Sequence, residues 1–268
     1  MPDGPLLKTD KMLAAKADGI GTMTFNNPDR RNAVSLEMWQ AAEAILADFR
    51  DDPAVRVVVV TGAGGKAFAS GADISRFETE RSSEEAVRAY NAQTERVYAL
   101  LHGLPKPTIA EIRGACVGGG LALALCCDLR LCAEDSRFGI PAAKLGLGYG
   151  YASLKRLADV IGPAFAKEML FTARLFSAEE ALAMGLVNRV LPGSELGPAV
   201  ADYATTIAAN APLTVAAAKF VLNELMKDES ERDRARGEAM VSACFASEDY
   251  LEGRRAFMEK RKPLFRGR

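Results

Sequence analysis

Gly62-Ala63-Gly64-Gly65-Lys66-Ala67-Phe68-Ala69-Ser70-Gly71-Ala72-Asp73 and Arg113-Gly114-Ala115-Cys116-Val117-Gly118-Gly119-Gly120 are two glycine-rich turns of one kind. Each follows a β-type apolar run, Val57 to Val60 for the first and Thr108 to Ile112 for the second, and each precedes a helical stretch. At a helix start the peptide N–H groups lack intrahelical partners and point outward, where they can hold an anionic oxygen. Gly71 permits a tight turn, and Gly118 to Gly120 permit a ligand to approach the backbone closely. One such motif is weak evidence. Two in series suggest a pair of N–H donors meeting at one oxygen.

Outward from these turns, Met12 to Ala17 and Ile20 to Phe25 flank Asp18-Gly19, a hairpin dipeptide. Asn26-Asn27-Pro28-Asp29 reads as a turn. Ser35 can then cap a helix with Met38, Ala41, Ala42, Ile45, Leu46 and Phe49 on one face, and Asp51-Asp52-Pro53 ends it. Val55 to Thr61 reads as a buried strand and Ser83 to His102 as a helix. Pro105-Lys106-Pro107 introduces the strand Thr108 to Ile112, Gly118 to Cys127 is a short buried helix, and Leu129 to Ala133 is another strand. Helical patterns dominate after Tyr151, with Pro212 to Met226, Glu231 to Ala243 and Glu248 to Lys260 closing the chain. The expectation is an α/β core over residues 1–200 with a helical region over 201–268.

The 268 residues suffice for a large buried core, and 49% apolar with 26% charged residues is an ordinary globular composition. A net charge of −1 argues against general nucleic-acid or membrane-surface binding. Five cysteines without a CxxC pair, and one histidine, argue against a zinc site or a disulfide framework and suit a reducing compartment. Met1 to Asp10 lacks an apolar signal core, so a cytoplasmic location is expected.

Several segments in order resemble the enoyl-CoA hydratase/isomerase (crotonase) superfamily across nearly the whole chain. They are Asn26-Asn27-Pro28 with Asn32-Ala33, Ala67 to Asp73, Gly114 with Gly118 to Gly120, Cys127-Asp128, Phe138-Gly139, and Leu145-Gly146. Ala178 to Asn188, Ser247-Glu248-Asp249 and Phe257 to Arg261 extend the match. The resemblance implies a crotonase-type α/β spiral of β-β-α units, a C-terminal helical trimerisation module, and a homotrimer or homohexamer. It also implies an acyl-CoA thioester substrate, with coenzyme A entering as part of the substrate and no separate cofactor or metal. Transferred by position, the oxyanion hole is the N–H of Ala72 and the N–H of Gly119, flanked by Ser70, Gly71, Asp73 and Gly118. For the CoA moiety the resemblance points to Arg30 and Arg31 after the first turn, and to Phe257 and Lys260, which in such proteins often serve a neighbouring subunit. The basic segment Arg254 to Arg268 suits a 3′-phosphate and a diphosphate.

The chain departs from that pattern where it matters chemically. Hydratases of the family carry one glutamate on the helix after the Gly-Gly-Gly turn and a second after the Phe-Gly-x-Pro segment; here these positions are Ala122 and Ala142. Neither can accept a proton, so efficient hydration is not expected. Tyr149, in Leu147-Gly148-Tyr149-Gly150-Tyr151, lies where methylmalonyl-CoA decarboxylase-like members carry a tyrosine. Decarboxylation makes the thioester enolate by losing CO₂ and needs no carboxylate base. Those enzymes, however, carry a histidine where this chain has Ala72 and a glutamate where it has Ala122. Three classes stay open: an enolate-stabilising lyase or isomerase, a decarboxylase-like lyase using Tyr149, and a non-catalytic acyl-CoA binder.

Other charged groups read as structural. Asp73 suits a helix start, Asp128 a buried turn, His102 a helix end and Lys144 a solvated surface. Glu78, Glu80 and Glu84 follow the first turn, and any of them is a candidate relocated base.

Overall fold

The computed structural model describes residues 9–80 and 82–268, and the side chains of all of these but Ile74, Phe77 and Glu78. Most of the segment read for a signal core therefore lies outside the described residues, as does the Glu78 side chain. The chain opens with a hairpin of β1 (Met12–Ala17) and β2 (Ile20–Phe25). Its turn residues Asp18 and Gly19 both take positive φ, at 51° and 81°, as a two-residue hairpin turn matching strand twist requires. α1 (Leu36–Asp51) buries the expected face, with Trp39 added to it.

Three strand pairs then succeed one another, each with a helix or helical turn after it. β3 (Val57–Gly62) leads into β4 (Ala67–Ala69), then α2 (Phe77–Glu80) and α3 (Glu84–His102). β5 (Thr108–Ile112) leads into β6 (Ala115–Val117) and α4 (Gly119–Ala124). β7 (Leu129–Ala133) leads into β8 (Arg137–Gly139), a 3₁₀ turn at Pro141–Lys144, and α5 (Tyr151–Thr172). β9 (Phe176–Ser177), α6 (Ala178–Ala183) and β10 (Arg189–Leu191) finish the core. The long strands make one sheet in the order β1-β2-β3-β5-β7-β10, parallel from β2 onward. The short ones make a second sheet, β4-β6-β8-β9. The chain is a β-β-α spiral, each step adding one strand to each sheet.

β3 shows why this stack holds. Val58 and Val60 enter the main core, whereas Val57 and Val59 pack on the opposite face with Leu196, Val200 and Ala204. Those three lie on α7 (Gly193–Ala209) at four-residue spacing, a helical stripe covering a strand buried on both faces. α4 stops at Ala124, short of the expected Cys127, because Cys126 N–H and Cys127 N–H bond three residues back, to Leu123 and Ala124. Arg130 then donates to the Cys127 and Leu186 carbonyls at 2.6 and 2.7 Å, a buried cation satisfying a helix C-terminus.

Asn32 fixes the first glycine-rich turn from beneath. It is fully buried, with Nδ2 donating to the carbonyls of Ala63 and Ala67 at 3.0 and 2.7 Å and Oδ1 accepting the Asn27 N–H at 2.9 Å. Asn32→Ala would leave the buried Ala67 carbonyl and the half-buried Asn27 and Ala63 groups without this partner, and at about 1–3 kcal/mol per unsatisfied buried group a loss of about 2–5 kcal/mol in urea unfolding is expected. An unchanged midpoint would contradict this role.

The chain ends in α8 (Pro212–Leu225), α9 (Arg234–Ala246) and α10 (Glu248–Met258). These helices leave Leu222, Phe245, Leu251, Phe257 and Met258 exposed. Among the described residues no single helix is long and apolar enough to cross a membrane.

Candidate active site

The two glycine-rich turns meet at the wall of a cavity of about 500 Å³. Gly71 takes φ +100°, and a methyl group added there would lie 3.2 Å from the Val117 carbonyl oxygen and 3.7 Å from the Gly119 nitrogen. The turns thus face each other so closely that a side chain on Gly71 would press against the second one. Val34 N–H donates to Gly71 O at 2.9 Å and Asp73 N–H to Val34 O at 3.1 Å, an isolated parallel bridge opposite Ala72. A parallel bridge of this kind uses the peptide groups on either side of the bridged residue and turns that residue's own N–H away. Gly118 donates to Gly139 O at 2.8 Å, and Gly119 begins α4, where a first-turn N–H has no intrahelical acceptor. Among the described residues neither the Ala72 N–H nor the Gly119 N–H donates to a carbonyl. Both residues line the cavity. Two such donors can hold one developing oxyanion.

α3 supplies the facing wall. Val87, Asn91 and Glu95, and beside them Tyr90, Thr94 and Tyr98, line the cavity as two rows of four-residue spacing. Tyr98 donates its hydroxyl to Gly119 O at 2.9 Å and so ties α3 to the start of α4. Burial pushes the Tyr98 phenol well above its ordinary range, which keeps it a neutral donor. Trp39 donates Nε1–H to Tyr90 Oη at 3.0 Å and meets the Tyr98 ring edge-on, with centroids 5.6 Å apart.

Ala142 lines the cavity, and Ala122 is buried in α4 one turn beyond the Gly118–Gly119 junction. The Tyr149 ring reaches the same wall, its hydroxyl 3.8 Å from where a Cβ on Gly118 would stand. Tyr151 is 84% exposed at the start of α5, and it does not line the cavity. Ser70 lines the cavity and its N–H donates to Arg31 O at 3.1 Å, so the Arg30-Arg31 turn is held against the first glycine-rich turn, although neither arginine itself lines the cavity.

The other candidates are placed elsewhere. Asp73 accepts the Ser75 N–H and hydroxyl at 3.1 and 2.6 Å, a local turn. Asp128 accepts from Thr108 N–H at 2.7 Å and pairs with Lys219 at 2.8 Å, and His102 and Lys144 do not line the cavity. Glu80 accepts the Leu36 N–H at 3.1 Å at the N-terminus of α1, and Glu84 projects to solvent beside Arg88. Neither lines the cavity. Phe257 lines a second, apolar cavity of about 910 Å³ among α8, α9 and α10, and Lys260 follows α10. The fold does not bring these two to the first cavity of their own chain.

Sequence reasoning passed over Glu95. Its neighbours Glu84, Glu85, Arg88 and Arg96 make α3 look like a solvated helix, and the signal was the polar pair Asn91 and Glu95, one helical turn apart.

The family profile for enoyl-CoA hydratase/isomerase matches residues 15–268. A crotonyl-CoA hydratase from Syntrophomonas wolfei is 36% identical over 256 residues, covering 96% of this chain and 98% of its own length. A carnitinyl-CoA dehydratase from Salmonella agona is 36% identical over 253 residues, covering 92% and 94%. The crystal structure of an enoyl-CoA hydratase from Bacillus anthracis superposes with a TM-score of 0.88 at 32% identity, covering 97% of this chain and all, 100%, of that one.

Proposed function

Because the chain belongs to the enoyl-CoA hydratase/isomerase family, we propose that its cavity grips the thioester carbonyl of an acyl-CoA between the Ala72 and Gly119 N–H groups. There it stabilises the enolate as a lyase or isomerase rather than as an efficient hydratase. The observation that carries this reading is the pair of N–H donors on facing turns that have no carbonyl partner among the described residues, with Ala122 and Ala142 where proton-handling carboxylates would be required. The Arg30-Arg31 turn, bonded to the cavity-lining Ser70, is the proposed contact for the CoA phosphates. Calorimetric titration with short and medium acyl-CoAs is expected to show binding, and the absence of heat with all of them, and with CoA, would overturn the reading.

Tyr149 supports a second reading. Its hydroxyl lies over the Gly118 turn, where it can donate to a departing carboxylate and reprotonate the enolate left behind. Turnover of methylmalonyl-CoA that is lost in Tyr149→Phe supports that reading; methylmalonyl-CoA binding without CO₂ release contradicts it.

The assembly is a proposal of the same standing. Phe257 and Met258, 82% and 79% exposed beside an apolar cavity, are large apolar groups that a monomer would leave in water. Light scattering is expected to report a trimer or hexamer. A stable monomer at micromolar concentration would contradict it.

A further inference from the structure

We propose that Glu95, held by Arg156, is the proton-transferring carboxylate of this site, delivered from α3 in place of the two carboxylates absent at Ala122 and Ala142. The proposal rests on the acyl-CoA reading above and adds to it the group that moves the proton. Glu95 lines the same cavity as Ala72, Gly119 and Ala142. Its side chain is 45% exposed there, whereas that of Arg156, on α5, is only 13% exposed. The guanidinium Nη2 donates to Glu95 Oε1. Among the described residues Glu95 Oε2 has no hydrogen-bond donor, so one carboxylate oxygen is anchored and the other is available to the cavity.

The anchor also carries the carboxylate to the right helix. Arg156 Nη1 lies 3.7 Å from Cys126 Sγ, and Cys126 Sγ lies 3.2 Å from Ala122 O. Burial pushes the Cys126 thiol up to about 12, so it stays neutral and does not compete with Glu95 for the cation. The guanidinium further sits 5.7 Å from the Tyr98 ring centroid, and Tyr98 is the residue bonded to Gly119. A single chain of contacts therefore joins Glu95 to both the second oxyanion turn and the flank of α4 where Ala122 has no acid. No other carboxylate among the described residues lines this cavity.

The step is a proton transfer with no outside reagent. Glu95 takes a proton from the acyl Cα, and the C–H electron pair moves into the thioester to give an enolate oxygen held by the two N–H groups. Protonated Glu95 then returns the proton, either to Cα or, with a 3-enoyl thioester, to the γ-carbon of the extended enolate, and the carboxylate is regenerated. One carboxylate suffices for this 1,3-shift, whereas hydration needs a second group for the water. The substrate class is an acyl-CoA with an acidic α-hydrogen, 3-enoyl thioesters above all.

The test is exchange of butyryl-CoA α-hydrogens in D₂O by mass spectrometry, with calorimetric binding of butyryl-CoA measured in parallel. Glu95→Gln keeps a group that can bond to Arg156 but removes the base. Exchange is expected to fall by about 10²–10⁴-fold with binding and melting temperature little changed. Arg156 is a positioning residue: Arg156→Met is expected to lose most of the exchange and Arg156→Lys to recover part of it. Exchange that survives Glu95→Gln would reduce the pair to a surface ion pair and overturn the proposal. Binding without exchange in the wild type would overturn it while leaving the acyl-CoA reading intact, and absence of binding would overturn both.

Discussion

Crotonyl-CoA hydration by this protein is expected to run several orders of magnitude below that of a relative with both glutamates, even when crotonyl-CoA binds. Water addition needs one group to take a proton from water and one to deliver a proton to the α-carbon. Each positioned acid–base group contributes about 10²–10⁴-fold, and the losses of two coupled groups fall short of their product. Ala142 faces the cavity and Ala122 is packed inside α4, so neither position offers a proton carrier. Glu95 supplies at most one. Restoring both carboxylates, as Ala122→Glu with Ala142→Glu, is expected to recover part of the rate, with Ala142→Glu the better tolerated because its side chain has the cavity to enter. Rapid hydration by the natural protein would contradict the account.

The second large effect is expected from Gly118→Ala. The added methyl group has room, with the Gly71 Cα and the Tyr149 hydroxyl both 3.8 Å away. The backbone does not: Gly118 sits at φ 56° and ψ −122°, a conformation closed to residues with a Cβ. Strain of this kind costs about 1–3 kcal/mol. Relief of that strain is expected to rotate the peptide that carries the Gly119 N–H. Misaiming one oxyanion donor typically costs about 10²–10³-fold in turnover. Any enolate-forming reaction of this protein, α-hydrogen exchange included, is expected to fall by that much, with a modest drop in melting temperature. Unchanged turnover in a folded Gly118→Ala protein would remove Gly119 from the oxyanion hole.

The fold was legible in the sequence wherever an element was long enough to show a period. The hairpin through Asp18-Gly19, the buried face of α1, and the runs that became β3, β5 and β7 stand where the residues place them. The second sheet was not legible from periodicity. β4, β6, β8 and β9 are two or three residues long, too short to alternate, and only the resemblance to a β-β-α spiral implied them. The two turns could be located because glycine marks them, and Ala122 and Ala142 because each stands at a countable distance from a recognisable segment. Glu95 could not, because its meaning comes from Arg156, 61 positions later in the chain, and no local spacing joins them. Phe257 and Lys260 show the converse. Their match to CoA-binding positions comes from the resemblance alone, and neither lines the first cavity of its own chain.

The central claim is that Ala72 and Gly119 grip one carbonyl oxygen, and isotope-edited difference Raman spectroscopy of a thioester-¹³C-labelled butyryl-CoA tests it without reference to turnover. Hydrogen bonds from two N–H groups draw electron density onto oxygen and weaken the C=O bond. The account predicts that the carbonyl band moves to lower wavenumber on binding, and moves less in Gly118→Ala. A band at its solution position when the cavity is saturated would contradict it.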